Sequence, residues 1–314
     1  MTPPAAAEAP GDLEAVFRRE RPRLVGLAYR IMGSRLDAED VVQEAWLRAQ
    51  RTDWPAVERP AAWLTTVVSR LALDELRSAR RRRETYVGPW LPDPVRTTDE
   101  RPESPTDRTG DDTAVDPAAV AELAESLTFG FLLLLEALEP VERVVFLLAD
   151  VFDTPYAEIA AAVGRSPAAC RQVASRARRR VREGRVRCDP PADAERVAHE
   201  LLLAVAAGDV GTVVSLLSAD VVLISDGGAT VRAARRPVVG PERVARFLVN
   251  LNRRYPVAAV EATAINGEPG VVMHLADGVD LVVAVEVVEG RVHAVHAIRN
   301  PEKIAALDVP TSIT

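Results

Sequence analysis

Lysine is almost missing from this chain: Lys303 is the only one among 39 basic side chains, and the rest are arginines. An arginine-for-lysine bias this strong makes the retention of one lysine curious, though a single residue proves little. Cysteine is nearly as scarce. Cys170 and Cys188 form no CxxC pair and have no histidine at ligand spacing, which excludes a disulfide framework and a zinc site and makes a reducing cytoplasm the expected compartment. Long apolar runs are lacking too. Phe131 to Leu135 is far too short to span a bilayer, so no membrane role is expected. Met1 to Gly11 is Ala/Pro-rich without a basic start or apolar run, and is not expected to be a signal peptide. Neither a metal nor a cofactor is expected.

What the chain does have is length and segregated charge. Its 314 residues, 48% hydrophobic, suffice for two or three domains with cores of their own. A net charge of −7 would argue against nucleic acid only if it were evenly spread. It is not: Arg165 to Arg187 holds nine Arg against one Glu, while Asp93 to Glu125 holds ten acids against three Arg. Two arginine-studded helical segments, 61–83 and 166–187, flank that acidic stretch and point to a protein that grips DNA at two spaced places.

The first block, 12–83, is helical. Leu13, Val16, Phe17, Leu24, Leu27, Ala28 and Ile31 recur at three- and four-residue steps, and Gly33 with Ser34 ends that helix. A second helix is expected to open at Asp37 as cap and to bury Val41, Val42, Ala45 and Trp46. That leaves Glu39, Asp40, Gln43 and Glu44 as an acidic strip. After the loop Asp53 to Pro60, a third helix carries Trp63, Leu64, Val67, Val68 and Leu71 and ends in Arg77 and Arg80 to Arg83, more cations than a helix dipole needs. Such a basic helix beside aromatics can hold a phosphate backbone while splayed bases sit in a pocket.

Residues 84–118 have the Pro, Thr, Asp and Glu composition of a flexible tether, with one island, Trp90 to Pro94, of the kind that docks onto something. In the block 119–187, Thr154 is expected to cap a helix with Pro155 at its first position. Gly164 turns the chain, and Ser166 caps the next helix, with Pro167 first. Cys170, Val173, Ala174, Ala177 and Val181 face inward; Arg171, Gln172, Arg176, Arg178 and Arg179 face out. This is a helix-turn-helix, whose early residues Arg171 and Gln172 reach base edges while the later arginines meet phosphates.

The last block, 190–307, changes pattern. Helices are expected over 192–207, 212–217 and 241–252, and strands over 220–225, 231–236, 257–265, 270–275, 281–288 and 292–298, broken by Gly and Asp-Gly turns. The result is an α+β fold closing over a pocket. His274, His293 and His296 with Asp226, Asp277, Asp280 and Glu286 supply acid and base groups, but nothing marks a nucleophile, a metal set or a paired acid and base, so the histidines read as ordinary strand residues.

Family resemblance follows from these motifs. DAEDVVQEAW at 37–46, followed by AAWLTTVVSRLALDELRSARRR at 61–82, resembles region two of the extracytoplasmic-function sigma factors. ERVVFLLADVFDTPYAEIAAAVGRSPAACRQVASRARRRVR at 142–182 is similar to their region four. The resemblance implies that Asp37, Asp40, Gln43 and Glu44 dock on core RNA polymerase. Arg70, Arg77, Arg80 and Arg81 would meet the melted non-template strand of the minus-ten element. Arg70 stands where many members carry Asn. Arg171, Gln172, Arg176, Arg178 and Arg179 would meet the double-stranded minus-thirty-five element.

The last block looks like the cone-shaped SnoaL-like polyketide cyclase fold. Fused to a sigma factor, that fold accompanies a WLP(E/D)P linker motif, a DGGGK-type turn and an NPDK-type C-terminal motif. Here they stand as Trp90, Leu91, Pro92, Asp93 and Pro94; as Asp226, Gly227, Gly228, Ala229 and Thr230; and as Asn300, Pro301, Glu302 and Lys303. The resemblance implies regulation from within the chain and a pocket for a small-molecule ligand. The whole reads as a multidomain protein, two all-α sigma domains and one α+β domain, that is no enzyme. The alternatives are a ligand-sensing helix-turn-helix regulator that needs no polymerase, and a cyclase or isomerase with a DNA-binding appendage.

Overall fold

The computed structural model describes residues 12–83, 85–97, 127–184, 188–189 and 191–307; the side chains of 80–82 and 191 are outside that description. Most of the acidic stretch and the ends of the block 119–187 therefore lie outside the described residues. By packing, the described residues divide into two units, one of 12–81 and 138–182, the other of 82–137 and 183–307.

The first unit is helical. Helix α1 (Leu13–Met32) is capped by the Asp12 carboxylate, which accepts from Glu14 N, and ends at Gly33, left-handed at φ 69°. Helix α2 (Arg35–Gln50) begins earlier than expected. Its cap is Ser34, whose Oγ accepts from Asp37 N at 3.3 Å, because Ser34 is the last extended residue and Asp37 already lies in the first turn. A short turn at Trp54–Ala56 leads to α3 (Pro60–Arg83). Leu24, Leu27 and Ile31 of α1, Ala38 and Ala45 of α2, and Leu64 and Val68 of α3 are wholly buried, each leucine contributing about 2 kcal/mol.

Beyond α4 (Phe129–Glu136), which belongs to the second unit, the first unit resumes with α5 (Pro140–Phe146) and a π-helical turn, Leu147–Val151. Then come α6 (Tyr156–Val163) and α7 (Pro167–Gly184). Thr154 does not cap α6: its hydroxyl bonds back to Phe152 O at 3.3 Å, and extended Pro155 takes the cap position. Gly164, at φ 67°, makes the left-handed turn, and Ser166 Oγ accepts from Ala169 N to open α7, as expected.

The second unit adds α8 (Pro191–Ala207), α9 (Val210–Leu216), β1 (Leu217–Asp226), β2 (Val238–Val239), α10 (Pro241–Arg254), β3 (Val257–Ile265), β4 (Glu268–Leu275), β5 (Leu281–Val288), β6 (Arg291–Ile298) and α11 (Pro301–Ala305). The sheet runs β2-β1-β6-β5-β4-β3, antiparallel except where β1 lies parallel to β6. The expected strand over 231–236 is absent. Val231 N instead closes a turn onto Gly227 O, and Val238–Val239 makes the edge pairing with Leu223 and Val222.

Strand β5 is almost wholly apolar because both its faces are covered. Val285 and Val287 pack on α8, α9 and α10 through Val197, Val213 and Val244. On the other face, Val282 and Ala284 pack with Leu91, Phe129, Ile304 and Leu307.

Candidate functional site

On α2 the expected polymerase strip is unevenly exposed. Asp40 and Gln43 are open, Asp37 is half-buried, and Glu44 is tied to Arg48 at 2.9 Å. Leu36 and Leu47, 56% and 37% exposed, complete the stripe formed by Asp40 and Gln43. These leucines were missed because apolar residues in a helix read as core. Their phase was the available signal: at 3.6 residues per turn they lie opposite Val41, Val42 and Ala45.

On α3, Arg77 is exposed and pairs with Asp74 at 3.2 Å, and the side chains of Arg80 and Arg81 lie outside those described. Arg70 is exposed and bonded within the unit. Its Nε and Nη2 donate to Ala161 O at 3.2 and 2.6 Å, so the guanidinium is held by the first helix of the helix-turn-helix. On α7, Arg171, Gln172, Arg176 and Arg179 are exposed, and the Arg171 guanidinium lies 5.4 Å from the Tyr156 ring. Arg178 is half-buried. It donates to Asp150 Oδ1 at 2.6 Å and to Tyr156 Oη at 3.1 Å, and Asp150 above all holds its pKa up. The π-helical turn that carries Asp150 thus makes Arg178 a brace within the fold. A cleft of about 510 Å³ is lined by Arg77 of α3, by Arg165 before α7 and Val173 and Arg176 within it, and by Glu139 and Glu142.

The three motifs at 90–94, 226–230 and 300–303 converge in the second unit. Asp226, fully buried, accepts at Oδ2 from Leu91 N and Lys303 Nζ, both at 2.9 Å, and at Oδ1 from Tyr86 Oη at 2.6 Å and Gly228 N at 3.0 Å. Lys303 also donates to Leu91 O, and Asn300 Nδ2 donates to Tyr86 Oη at 2.9 Å. The Trp90 ring is clamped between cations, Arg83 at 3.5 Å and Lys303 at 4.4 Å from its centroid. Pro92 and Asp93 are buried beside it, and Pro301 opens α11 so that Lys303 turns inward. Burial pulls the Lys303 pKa down, with Asp226 and then Asp93 pulling it back. Tyr86 is pushed up, first by burial and then by Asp226. Gly227 and Gly228 leave no room for side chains; a Cβ at Gly228 would lie 2.8 Å from the Asn300 amide.

A second clasp was not expected. At the turn between β3 and β4, Asn266, left-handed at φ 54°, donates from N to Val95 O at 2.8 Å and accepts from Val95 N at Oδ1 at 2.9 Å. Its Nδ2 reaches Leu127 O at 3.1 Å, while Glu268 Oε1 accepts from Phe129 N at 3.1 Å. Residues 97 and 127, which flank 98–126, are thus held at one turn.

Comparison with known proteins matches residues 16–82 to Sigma-70 region 2 and 130–181 to Sigma-70, region 4. The chain is 43% identical over 299 residues to the ECF RNA polymerase sigma factor SigJ of Mycobacterium tuberculosis, covering 91% of each. It is 31% identical to the probable ECF RNA polymerase sigma factor SigI of the same organism, over 94% of this chain and 96% of SigI. The chain belongs to the ECF RNA polymerase sigma factors. The crystal structure of Mycobacterium tuberculosis SigJ superposes with a TM-score of 0.74 at 39% identity, covering 95% of this chain and all of SigJ, so the α+β part is included in the match.

As a member of this family the chain is an RNA polymerase sigma factor that directs promoter-specific transcription initiation, which removes the polymerase-independent regulator as a reading. The relatives it matches are sigma factors rather than enzymes. In this sigma factor the histidines of the sheet are dispersed. His274 faces Asp280 at 3.0 Å and His293 faces Asp220 at 3.5 Å, whereas His296 is buried, with Nδ1 3.7 Å from Glu268 Oε2 and its ring 5.0 Å from that of Phe129. Glu286 beside them is pushed up by burial and then by the charge of Glu268. No helix among the described residues is long and apolar enough to cross a membrane.

Proposed function

We propose that the labour of this sigma factor divides as 12–83 for region two, 84–118 for the linker, 119–187 for region four and 190–307 for a SnoaL-like regulatory domain. Asp37, Asp40, Gln43 and Glu44 dock on core polymerase together with Leu36 and Leu47. The observation that carries this reading is the exposed stripe of α2, two open leucines bracketing Asp40 and Gln43, the mixture of apolar anchor and polar rim that protein partners bury.

Arg70, Arg77, Arg80 and Arg81 meet the melted minus-ten strand. Arg171 and Gln172 read the minus-thirty-five duplex, with Arg176 and Arg179 on phosphates and Arg178 holding α7 in place. Arg70 is freed from Ala161 when DNA binds. The cluster of Trp90, Leu91, Pro92, Asp226, Gly227, Gly228, Asn300, Pro301 and Lys303 transmits the regulatory domain's state to the linker. The protein acts in the cytoplasm and catalyses no covalent chemistry; its regulatory domain takes a small-molecule ligand.

Run-off transcription with purified core polymerase tests this. A promoter-dependent transcript that Leu36→Ala with Leu47→Ala weakens, and that Asp226→Asn alters in amount without moving the start site, supports the division. A transcript indifferent to both variants overturns it.

A further inference from the structure

A strongly charged surface outside the proposed DNA-binding helices is on α10. Arg243, Arg246, Arg253 and Arg254 are all exposed, and at 3.6 residues per turn they fall within an arc of about 100°. Asn250, also exposed, lies within that arc. The opposite face buries Val244, Ala245 and Val249 against the sheet. The loop leading to β2 adds three further exposed cations, Arg232, Arg235 and Arg236. From 232 to 254 the chain carries seven Arg against Glu242 alone.

These arginines differ from the others of their unit. Arg83 pairs with Glu136, Arg96 with Glu261, Arg196 with Glu200 and Arg299 with Asp277, and Arg291 donates to Ser215 O. Among the described residues, no acidic side chain pairs with any of the seven. A 14-residue helix is about 21 Å long, and duplex DNA carries about one charge per 1.7 Å, so such a face lies along a run of phosphates rather than on one anion.

We infer that this arginine face of the α+β unit is a third DNA contact, binding the duplex phosphate backbone without reading sequence. The rival occupant is the chain's own acidic stretch. The inference extends the proposed function but does not use α2, α3 or α7.

Fluorescence anisotropy of the full chain with a labelled non-promoter duplex across a salt series tests it. Arg243→Gln, Arg246→Gln and Arg253→Gln together should weaken binding and flatten the plot of log affinity against log salt by about 2 to 3, since each phosphate neutralised adds roughly 0.9 to that slope. The same three positions changed to Lys should keep the wild-type slope. An unchanged slope in the Gln variant overturns the inference. So does a peptide of residues 98–126 that binds the wild type as tightly as DNA does and no longer binds the Gln variant. Promoter-dependent transcripts from the wild-type holoenzyme test the proposed function separately, since they form whether or not this face touches DNA.

Discussion

Lys303 Nζ lies 2.9 Å from Asp226 Oδ2, and the carboxylate that receives it has no exposure to solvent. The only lysine of the chain is therefore engaged in an internal ion pair between two motifs far apart in sequence. Removing one partner of a buried pair typically costs about 3–5 kcal/mol. Lys303→Met should lower stability by that order in urea unfolding. Adding Asp226→Asn should return part of the loss, since the two residues touch and their effects are not additive. A double variant as unstable as the sum of the singles would contradict the pairing.

Gly228 is held at φ +63° with Asn300 against it, and its N–H donates to Asp226. Gly228→Ala should push Asn300 off Tyr86 and destabilise the second unit by about 1–3 kcal/mol, the range for strain plus overpacking. Gly164→Ala, equally left-handed but with open space around it, isolates the strain component. Comparable losses for both would show that the Asn300 contact is unimportant.

Asn266 has three bonds to Val95 and Leu127. Asn266→Gly keeps the left-handed backbone and deletes only the side chain, so two of the three go. Hydrogen exchange should then speed up at Val95 while β5 keeps its protection, for a global loss of about 1–3 kcal/mol. Protection at Val95 equal to wild type would rule the clasp out.

Glu286 holds its proton more tightly in the fold than its ordinary value near 4.5, because of burial and then Glu268, with His296 and His293 acting the other way. A raised folded pKa contributes stability that is complete below the unfolded value and is lost as pH rises through the folded one. Thermal unfolding of the wild type should therefore show a midpoint that declines above about pH 4.5, and Glu286→Gln should flatten that decline and be the more stable protein at pH 8. Parallel pH profiles for the two proteins would refute the assignment.

Leu47 is open on α2 with Gln43 one turn away. Leu47→Glu should cut affinity for core polymerase by tenfold or more, the size of a modest interface anchor, and leave the free energy of unfolding within about 0.5 kcal/mol of wild type. Loss of fold in step with loss of binding would place Leu47 in the core instead.

Local chemistry was sufficient to determine much of this molecule. Apolar spacing specified α1, α3 and the buried faces of α2 and α7; Gly164 and Ser166 specified the turn and cap of the helix-turn-helix; β3 and β5 occupy 257–265 and 281–288 as read. The motif residues at 90–94, 226–228 and 300–303 were identifiable as a set only through family resemblance. Their meeting was decided by the tertiary structure, which joins Leu91 to Lys303 across 212 positions and to Asp226 across 135. So was the covering of the sheet's second face by Leu91 and Phe129, and the diversion of Arg178 to Asp150. The physical reason is range. Periodicity and capping report which face of an element is apolar and where it starts, because both act within a few residues. Which distant segment covers that face, or which acid claims a given arginine, depends on packing that forms only once the elements assemble.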